Sequence, residues 1–185
     1  MGKEIKSILV SQPKPENKKS PFFGLAEKYE LNVDFRSFIH VEGVDYKEFR
    51  TQKVDLSQYS AVILTSRNAI DHFFRICEET RYTVPDSLKY FCVSEAIALY
   101  LQKYVVYRKR KIFHGRQRFI ELMDLIKKHK KETFLLPSSD ILKEVIPNQL
   151  AEASINYKRA IIYRTVVSDL SDLENVTYDL SLIHI

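Results

Sequence analysis

YSAVILTSRNAIDHFF, residues 59–74, is the stretch of sequence that decides the fold of this chain. Its four consecutive apolar residues at 61–64 are typical of a strand that is covered on both faces, as in a parallel sheet. Ser66 belongs to the residue types that cap helices, and apolar residues recur after it at the helical spacing of three and four. The stretch therefore predicts a strand, a polar loop and a helix with one buried face.

The polar loop between this strand and helix is a candidate binding site. It contains Thr65, Ser66, Arg67 and Asn68. Open α/β sheets bind ligands outside the carboxyl ends of their strands, and the N–H groups of a helix start bind carboxylates or phosphates. We therefore predict that the loop binds an anion. A capped strand-to-helix turn without a ligand is the alternative.

The composition narrows the class of protein. With 185 residues, 45% of them hydrophobic, the chain can form one large core or two small ones and is too apolar to be disordered. No apolar window is long enough to cross a bilayer, and Cys77 and Cys92 are too few for a disulfide scaffold, so we expect a cytoplasmic protein without membrane contact. The histidines form no metal-ligand pattern, and the four glycines form no dinucleotide or phosphate-binding motif. The sequence thus predicts neither a metal nor a cofactor.

Positive charge is concentrated in one segment. The net charge is +5, and residues 103–131 hold eleven Lys or Arg against Glu121 and Asp124. Such a segment attracts anions, either a small polyanion or nucleic acid. Because a charge run is more often a solvated face, we do not expect nucleic acid to be the partner.

The pattern of strand and helix repeats along the middle of the chain. Further strands are predicted at residues 90–93, 105–107, 133–136 and 160–167. A helix is predicted from Ile141 to Ile146, and Pro147 is expected either to kink it or to begin a second, turn-broken segment. Five strands alternating with helices indicate a doubly wound parallel sheet, hence an α/β fold. Right-handed crossovers would place one set of hydroxyl residues on a single edge: Thr65, Ser66, Ser94, Ser138 and Ser139.

The first forty residues contain a smaller unit of the same kind. A strand at 5–10, a helix that starts at Ser20 and Pro21, and a strand at 31–35 form a βαβ piece, with Asn32 expected as the left-handed residue after the helix. This piece is too small to bury its own sheet. We therefore expect other parts of the chain to complete it.

The order of these motifs resembles the uroporphyrinogen-III synthase family. The matching stretches are AVILTSRNAIDHFF, YFCVSEAIALYL, FLLPSSDILKEVIPNQLAEASI and AIIYRTV, and they span nearly the whole chain. The resemblance implies two doubly wound parallel-sheet domains joined by a two-stranded linker. The first domain would comprise residues 1–40 and 168–185, and the second, residues 41–167, would be inserted between them.

The C-terminal part is shorter than the family pattern implies. Only eighteen residues follow Val167, so we expect the first domain to be incomplete and the chain to be a poor catalyst. The final LSLIHI, residues 180–185, resembles a translated sequencing adapter. The alternative interpretation is an apolar strand.

The resemblance also implies a reaction and its residues. Family members convert hydroxymethylbilane, a linear tetrapyrrole, to uroporphyrinogen III by loss of water, inversion of the terminal ring and closure of the macrocycle, without a cofactor. Tyr163 matches the family's linker-proximal tyrosine and is the expected general-acid or positioning group. The loop residues named above, with Ser94, Ser138 and Ser139, are the expected substrate contacts. Ser94 and Ile97 replace a glycine and a threonine of the family pattern, which puts contacts there in doubt.

Two other functions remain open at this level. The chain can be a non-catalytic α/β module that binds an anion or a protein partner, because a fold alone does not determine function. Binding of nucleic acid through residues 103–131 is the third class, and steep salt dependence would identify it. As an enzyme of this family, the protein is expected to be monomeric and to bind a small molecule.

Overall fold

The computed structural model describes residues 5–17 and 20–183, so His184 and Ile185 of the C-terminal segment lie outside the described residues. The chain divides into two compact units. One consists of residues 1–40 and 166–185, and the other of residues 41–165. In the described part of the chain, no helix has the length and hydropathy that a membrane span requires.

The first unit contains a small parallel sheet. Its strands are β1 (Ser7–Val10), β2 (Asn32–Phe35) and β9 (Leu180–Leu182), in the order β2-β1-β9, and both pairings are parallel. Helix α1 (Pro21–Tyr29) connects β1 to β2, which confirms the βαβ piece. The segment that the sequence assigned either to an adapter or to an apolar strand forms β9 as far as the structure describes it.

The ends of α1 agree with the sequence at one side only. Ser20 is the N-cap and Pro21 the first helical residue, as predicted. The predicted left-handed exit at Asn32 is wrong, because Glu30 adopts that conformation with φ 53° and ψ 42°. The chain then bonds back at once, from Leu31 N–H to the Ala26 carbonyl, and Asn32 already belongs to β2.

The second sheet has six strands and holds the candidate site. The strands are β3 (Ile39–Gly43), β4 (Ala61–Leu64), β5 (Lys89–Cys92), β6 (Ile112–His114), β7 (Phe134–Ser139) and β8 (Tyr157–Val167), in the order β3-β8-β7-β4-β5-β6. The four pairings from β8 to β6 are all parallel. This confirms the predicted α/β fold with parallel strands, although the sheet has six strands where the sequence predicted five.

Helices cover both faces of this sheet. They are α2 (Tyr46–Thr51), α3 (Arg67–Glu79), α4 (Glu95–Tyr100), α5 (Phe119–Lys128) and α6 (Val145–Glu152). Strand β4 shows why its sequence is uniformly apolar: Val62 and Leu64 pack into one core cluster, and Ala61 and Ile63 into another. All four residues are at most 1% exposed, as a strand between two helical layers requires.

Two predicted elements of this unit are wrong. Residues 105–107 form no strand: Val105 N–H bonds to the Leu101 carbonyl, Val106 is 78% exposed, and the strand that pairs with β5 lies later, at β6. The helix predicted from Ile141 begins only at Val145. Pro147 therefore falls in the first turn, where its missing N–H would have had no helical partner, and it causes no kink.

Candidate functional site

Parallel strand order brings the predicted hydroxyl residues to one edge of the second sheet. Thr65 and Ser66 follow β4, and Ser94 comes two residues after the end of β5. Ser138 and Ser139 are the last two residues of β7, which lies next to β4. All of these residues lie at the carboxyl ends of parallel strands, where α/β folds bind ligands. Their local surroundings differ, however.

Ser66 joins the start of α3 to the tyrosine of β8. As N-cap, its Oγ accepts a hydrogen bond from Ala69 N–H at 3.0 Å. The same Oγ lies 3.2 Å from the Tyr163 hydroxyl. Two residues that the sequence analysis proposed for different roles, substrate binding and proton donation, are therefore directly hydrogen-bonded.

A bulge in β8 directs Tyr163 towards α3. Ser138 pairs with Ile161 but Ser139 pairs with Tyr163, so Ile162 is an extra residue in the strand. Ile162 and Tyr163 consequently pack into the same core cluster, although neighbouring residues of a regular strand point to opposite faces. Bulges of this kind re-aim side chains beside functional sites.

His72 forms the other wall around the tyrosine. Its ring stacks on Tyr163 with centroids 5.3 Å apart and an interplanar angle of 20°. Arg75 Nε donates a hydrogen bond of 3.2 Å to His72 Nδ1, so that nitrogen acts as an acceptor and the neutral ring carries its proton on Nε2. Partial burial, together with the Arg75 charge, lowers the pKa of His72 below its ordinary value. Tyr163 thus lies between a serine hydroxyl and a neutral imidazole.

The first turn of α3 offers unpaired donors. Within the part of the chain that the structure describes, the backbone N–H groups of Arg67 and Asn68 have no hydrogen-bond partner, and both side chains are exposed. The Arg67 guanidinium lies 5.2 Å from the centre of the Tyr100 ring. Tyr100 is itself held by its hydroxyl, which donates to Asp71 at 2.8 Å and 2.9 Å. This end of α3 can therefore bind a carboxylate.

Ser94 repeats the capping geometry more weakly. Ser94 is the N-cap of α4, and its Oγ accepts from Ile97 N–H at 3.4 Å. The Ile97 side chain carries no hydrogen-bonding group. Of the family's two contacts expected here, only a hydroxyl on Ser94 remains available.

Ser138 and Ser139 are buried and engaged within the protein. Ser138 Oγ accepts from Arg159 Nε at 2.9 Å and donates to the Ser139 carbonyl at 3.0 Å. Arg159 Nη2 donates to the carbonyls of Ser139 and Asp140 at 2.7 Å and 2.6 Å. Ser139 Oγ donates to the Asp140 carboxylate at 2.7 Å, a bond that holds the pKa of Asp140 below its ordinary value. Ser138 is 1% exposed and Ser139 is 8% exposed. Their hydroxyls therefore stabilise the turn after β7 and do not face solvent.

The backbone N–H groups of the three residues just before α5 bond to a side chain of that helix. Glu121 Oε2 accepts from the backbone N–H groups of Arg116, Gln117 and Arg118, at 3.2, 2.9 and 3.1 Å. These three bonds, that of Gln117 foremost, lower the pKa of Glu121. The donors of the three residues that precede the first helical residue of α5 are therefore occupied.

Three residues at this edge were not identified from the sequence: His72, Arg159 and Asp140. His72 sits within the helical repeat of α3, where only the position of Tyr163 on a bulged strand makes it a neighbour. Arg159 is one of two arginines on β8, and nothing local distinguishes it from Arg164. Asp140 carried a weak signal, because it follows two serines at a strand end.

Among the described residues, no group of three or more His, Cys, Asp or Glu could hold a metal ion.

Comparisons with known proteins agree on one family. A sequence profile for uroporphyrinogen-III synthase HemD matches residues 21–181. A mutant uroporphyrinogen III synthase from the extremely thermophilic bacterium Thermus thermophilus aligns with a TM-score of 0.63 at 14% identity, over 88% of this chain and 64% of that chain. Uroporphyrinogen-III synthetase from Helicobacter pylori aligns with a TM-score of 0.56 at 16% identity, over 95% and 70%. A search of curated proteins finds no match. The chain thus spans just under two thirds of the length of the Thermus protein, and at these identities the structural likeness shows the fold.

Proposed function

Because this chain belongs to the uroporphyrinogen-III synthase family, we propose that it acts in the cyclisation of hydroxymethylbilane to uroporphyrinogen III. The reaction removes the terminal hydroxyl group as water, inverts the last pyrrole ring and closes the macrocycle. No oxidation or reduction is involved. The protein has two tasks: to protonate or hydrogen-bond the departing hydroxyl, and to hold the chain in the conformation that leads to the inverted isomer.

Tyr163 is the proposed donor to the leaving hydroxyl. The contact of 3.2 Å between its hydroxyl and Ser66 Oγ is the observation that supports this role best, because it ties a phenol to the start of α3. Ser66 Oγ already accepts from Ala69 N–H, so it is oriented and can receive or return a proton on its free side. His72 packs against the ring and restricts its rotation.

The carboxylates of the substrate would bind at the first turn of α3. The N–H groups of Arg67 and Asn68 and the Arg67 guanidinium are donors close to Ser66. The positive end of the helix dipole favours an anion there. Thr65 and Ser94 add hydroxyls on the same edge. Ser138 and Ser139 are proposed to act indirectly, by fixing the turn after β7.

The test is an isomer assay with purified protein. Hydroxymethylbilane is supplied by a coupled synthase, and the uroporphyrinogens are oxidised and separated. We expect the type III isomer at a low rate, since the first domain is expected to be incomplete, and Tyr163→Phe should lower that rate on the order of tenfold to a hundredfold, which corresponds to about 1.4 to 2.7 kcal/mol. Spontaneous closure yields the uninverted type I isomer, so type I alone would contradict the proposed activity.

A second tyrosine on the same strand is the matched control. Tyr157 begins β8 and packs against the other core cluster, away from Ser66. Tyr157→Phe should leave turnover unchanged. If both variants lower the melting temperature and neither changes the turnover of folded protein, Tyr163 has only a structural role. The reaction would then rely on substrate conformation and backbone donors.

A further inference from the structure

A cavity lies at the opposite end of the strands from the candidate site. It has a volume of about 380 Å³ and is lined near the amino ends of β5 and β6 by Leu88, Tyr90, Lys111 and Ile112. Ligand cavities in proteins usually measure about 300 to 1,000 Å³. No step of the proposed reaction uses this space.

One wall of the cavity is aromatic and apolar. Phe74 of α3 and Tyr104 stack with centroids 4.4 Å apart and an interplanar angle of 1°. The Tyr104 hydroxyl donates to Asp71 at 2.7 Å, which holds the ring in place, yet the residue remains 42% exposed. Val84 and Val106 extend this wall. Because the rings of Phe74 and Tyr104 cover each other's inner faces, a flat ligand ring can lie against their edges, in the edge-to-face arrangement that aromatic rings favour.

Tyr90 supplies a polar group at the base of the cavity. The residue is only 4% exposed, and among the described residues its hydroxyl has no hydrogen-bond partner. Among the described residues, every fully buried side-chain polar atom except Gln149 Oε1 has a hydrogen-bond partner. Since the Tyr90 hydroxyl has none, it is not fully buried and must open onto the cavity that the residue lines. Burial raises the pKa of Tyr90, so the phenol stays protonated and can donate. Buried hydroxyls normally have a partner.

The mouth of the cavity carries more positive than negative charge. Arg108 and Lys111 line it, together with Asp86, which contacts Arg108 Nη1 at 3.3 Å. This ion pair is exposed on both sides and therefore weak. The neighbouring Lys109 and Arg110 add positive charge without lining the cavity. The mouth therefore favours an anion.

We propose that this cavity is a second small-molecule site, which takes a planar aromatic ring bearing a carboxylate or a phosphate. The ring lies against Phe74 and Tyr104, the Tyr90 hydroxyl donates to an acceptor on the ligand, and Arg108 and Lys111 bind the anionic group. The basic segment that the sequence analysis left without a function supplies these cations. The site is separate from the proposed reaction and does not depend on it.

Three probes of one shape distinguish the contributions to binding. They are 2-naphthoate, 2-naphthyl phosphate and the neutral 2-naphthamide, titrated against the full chain by calorimetry and by backbone amide shifts. We expect saturable submillimolar binding of the two anions, with shifts concentrated at residues 84–90 and 104–112, and clearly weaker binding of the amide. The relative affinity of carboxylate and phosphate identifies the preferred anion.

Single substitutions test each contact. Tyr90→Phe should weaken the binding of 6-hydroxy-2-naphthoate about twofold to tenfold, because the hydroxyl oxygen of this probe can accept from Tyr90 while its carboxylate lies at the cations, and the substitution removes that one hydrogen bond and leaves the ring. Arg108→Gln and Lys111→Gln should each weaken 2-naphthoate binding about twofold to fivefold, as exposed charges do. Asp86→Asn should strengthen it by a similar factor, because Arg108 is released and a repulsive charge is removed.

The neighbouring cations provide the controls. Arg110→Gln and Lys109→Gln remove the same charges from the same segment, and each should change affinity less than twofold. Equal losses from Arg108→Gln and Arg110→Gln would show that the probes sense only the net charge of a surface. Equal binding of 2-naphthoate and 2-naphthamide, or no saturable binding by any probe, would also overturn the proposal.

Discussion

Two pairs of hydroxyl residues follow neighbouring strands of the same sheet, yet they have opposite surroundings. Thr65 and Ser66 follow β4 and lead directly into the 13-residue helix α3, so Ser66 turns outward as a cap and contacts Tyr163. Ser138 and Ser139 end β7, but no helix starts until Val145. Their hydroxyls turn inward and bond to Arg159 and Asp140.

The difference shows that a hydroxyl at a strand end becomes a binding group only if the next backbone leaves it free. At α3 the helix provides N–H donors that need an acceptor, and one serine cannot satisfy all of them. At β7 an arginine from the adjacent strand has already filled the equivalent space. Both pairs look the same in sequence, so measurements that separate them test the whole description of the site.

The largest effect is expected from Arg159→Met. This substitution removes the three hydrogen bonds from Arg159 to Ser138 and to the carbonyls of Ser139 and Asp140. Two of these charge-assisted bonds are part-buried, so the free energy of unfolding should fall by about 1.5 to 3 kcal/mol. Urea denaturation measures this change.

Arg164→Met is the control on the same strand. Arg164 pairs with Glu48 at the surface, where the two side chains are 47% and 37% exposed. Such pairs contribute about 1 kcal/mol or less. Equal destabilisation by the two arginine substitutions would mean that the turn after β7 is not held as described.

Substitutions of Ser66 and of Ser138 should have different effects on activity and stability. Ser66→Gly keeps most of the capping free energy, because glycine is itself an acceptable N-cap residue. It removes the partner of Tyr163, so we expect a fall in turnover of about threefold to tenfold, or roughly 0.6 to 1.4 kcal/mol, with little loss of stability. Isomer assay and thermal unfolding of the same samples give both numbers.

Ser138→Ala should do the reverse. It leaves Arg159 Nε without its acceptor and lowers stability by about 1 to 2 kcal/mol, while the turnover of folded protein stays within about twofold of the original. If Ser138→Ala instead reduces turnover as much as Ser66→Gly does, then the buried pair contacts substrate after a rearrangement.

His72→Phe keeps a ring beside Tyr163 and removes both ring nitrogens. The folded pKa of His72 lies below its ordinary value of 6.5, mainly because of burial and then the Arg75 charge, so the unfolded chain binds the proton more readily. Stability from this source is present above about pH 6.5 and is lost as the pH falls through the folded pKa. The variant should therefore lose less stability than the original protein between neutral and mildly acidic pH. Melting temperatures across that range would show identical slopes if His72 were solvated.

The smallest effect is expected from Glu121, whose carboxylate bonds to the backbone just before α5. Glu121 accepts three backbone N–H bonds, and its folded pKa lies below the ordinary value of 4.5. Its contribution is present above about pH 4.5 and disappears as the pH falls through the folded pKa. Glu121→Gln should flatten the acid limb of stability without changing turnover at neutral pH. A change in turnover would indicate that this helix start contacts the substrate, as is proposed for that of α3.

Local patterns were sufficient for the helix starts and strands whose own residues carry the signal. Ser66 caps α3, α1 starts at Ser20 and Pro21, and Ala61–Leu64 is covered on both faces. The strand predicted at residues 105–107 failed because two valines and a tyrosine favour a strand wherever they occur, while pairing depends on which segment reaches β5. The sequence therefore predicted which hydroxyl residues share one edge of the sheet.

The contacts within that edge depend on non-local geometry. No sequence feature near Tyr163 indicates the extra residue in β8. Likewise, no sequence feature near Ser138 indicates its contact with Arg159 on the neighbouring strand. A bulge shifts the register by one residue, and that single step decides which face a side chain occupies. Hydroxyl residues that look equivalent in sequence therefore differ in the structure: Thr65 and Ser66 are partly exposed, and Ser138 and Ser139 are buried.

The separation of Ser66 and Tyr163 along the chain also has a consequence for the timing of folding. The two residues are 97 positions apart, and their contact requires β7 to pair with β4 on one side and β8 on the other. Non-local parallel pairing is slow, because the entropy of loop closure opposes it before any contact forms. During synthesis, β4 and α3 leave the ribosome well before β8 exists. Ser66 is therefore made long before its tyrosine, and the proposed proton donor can come into place only after β8 has been made and has paired with β7.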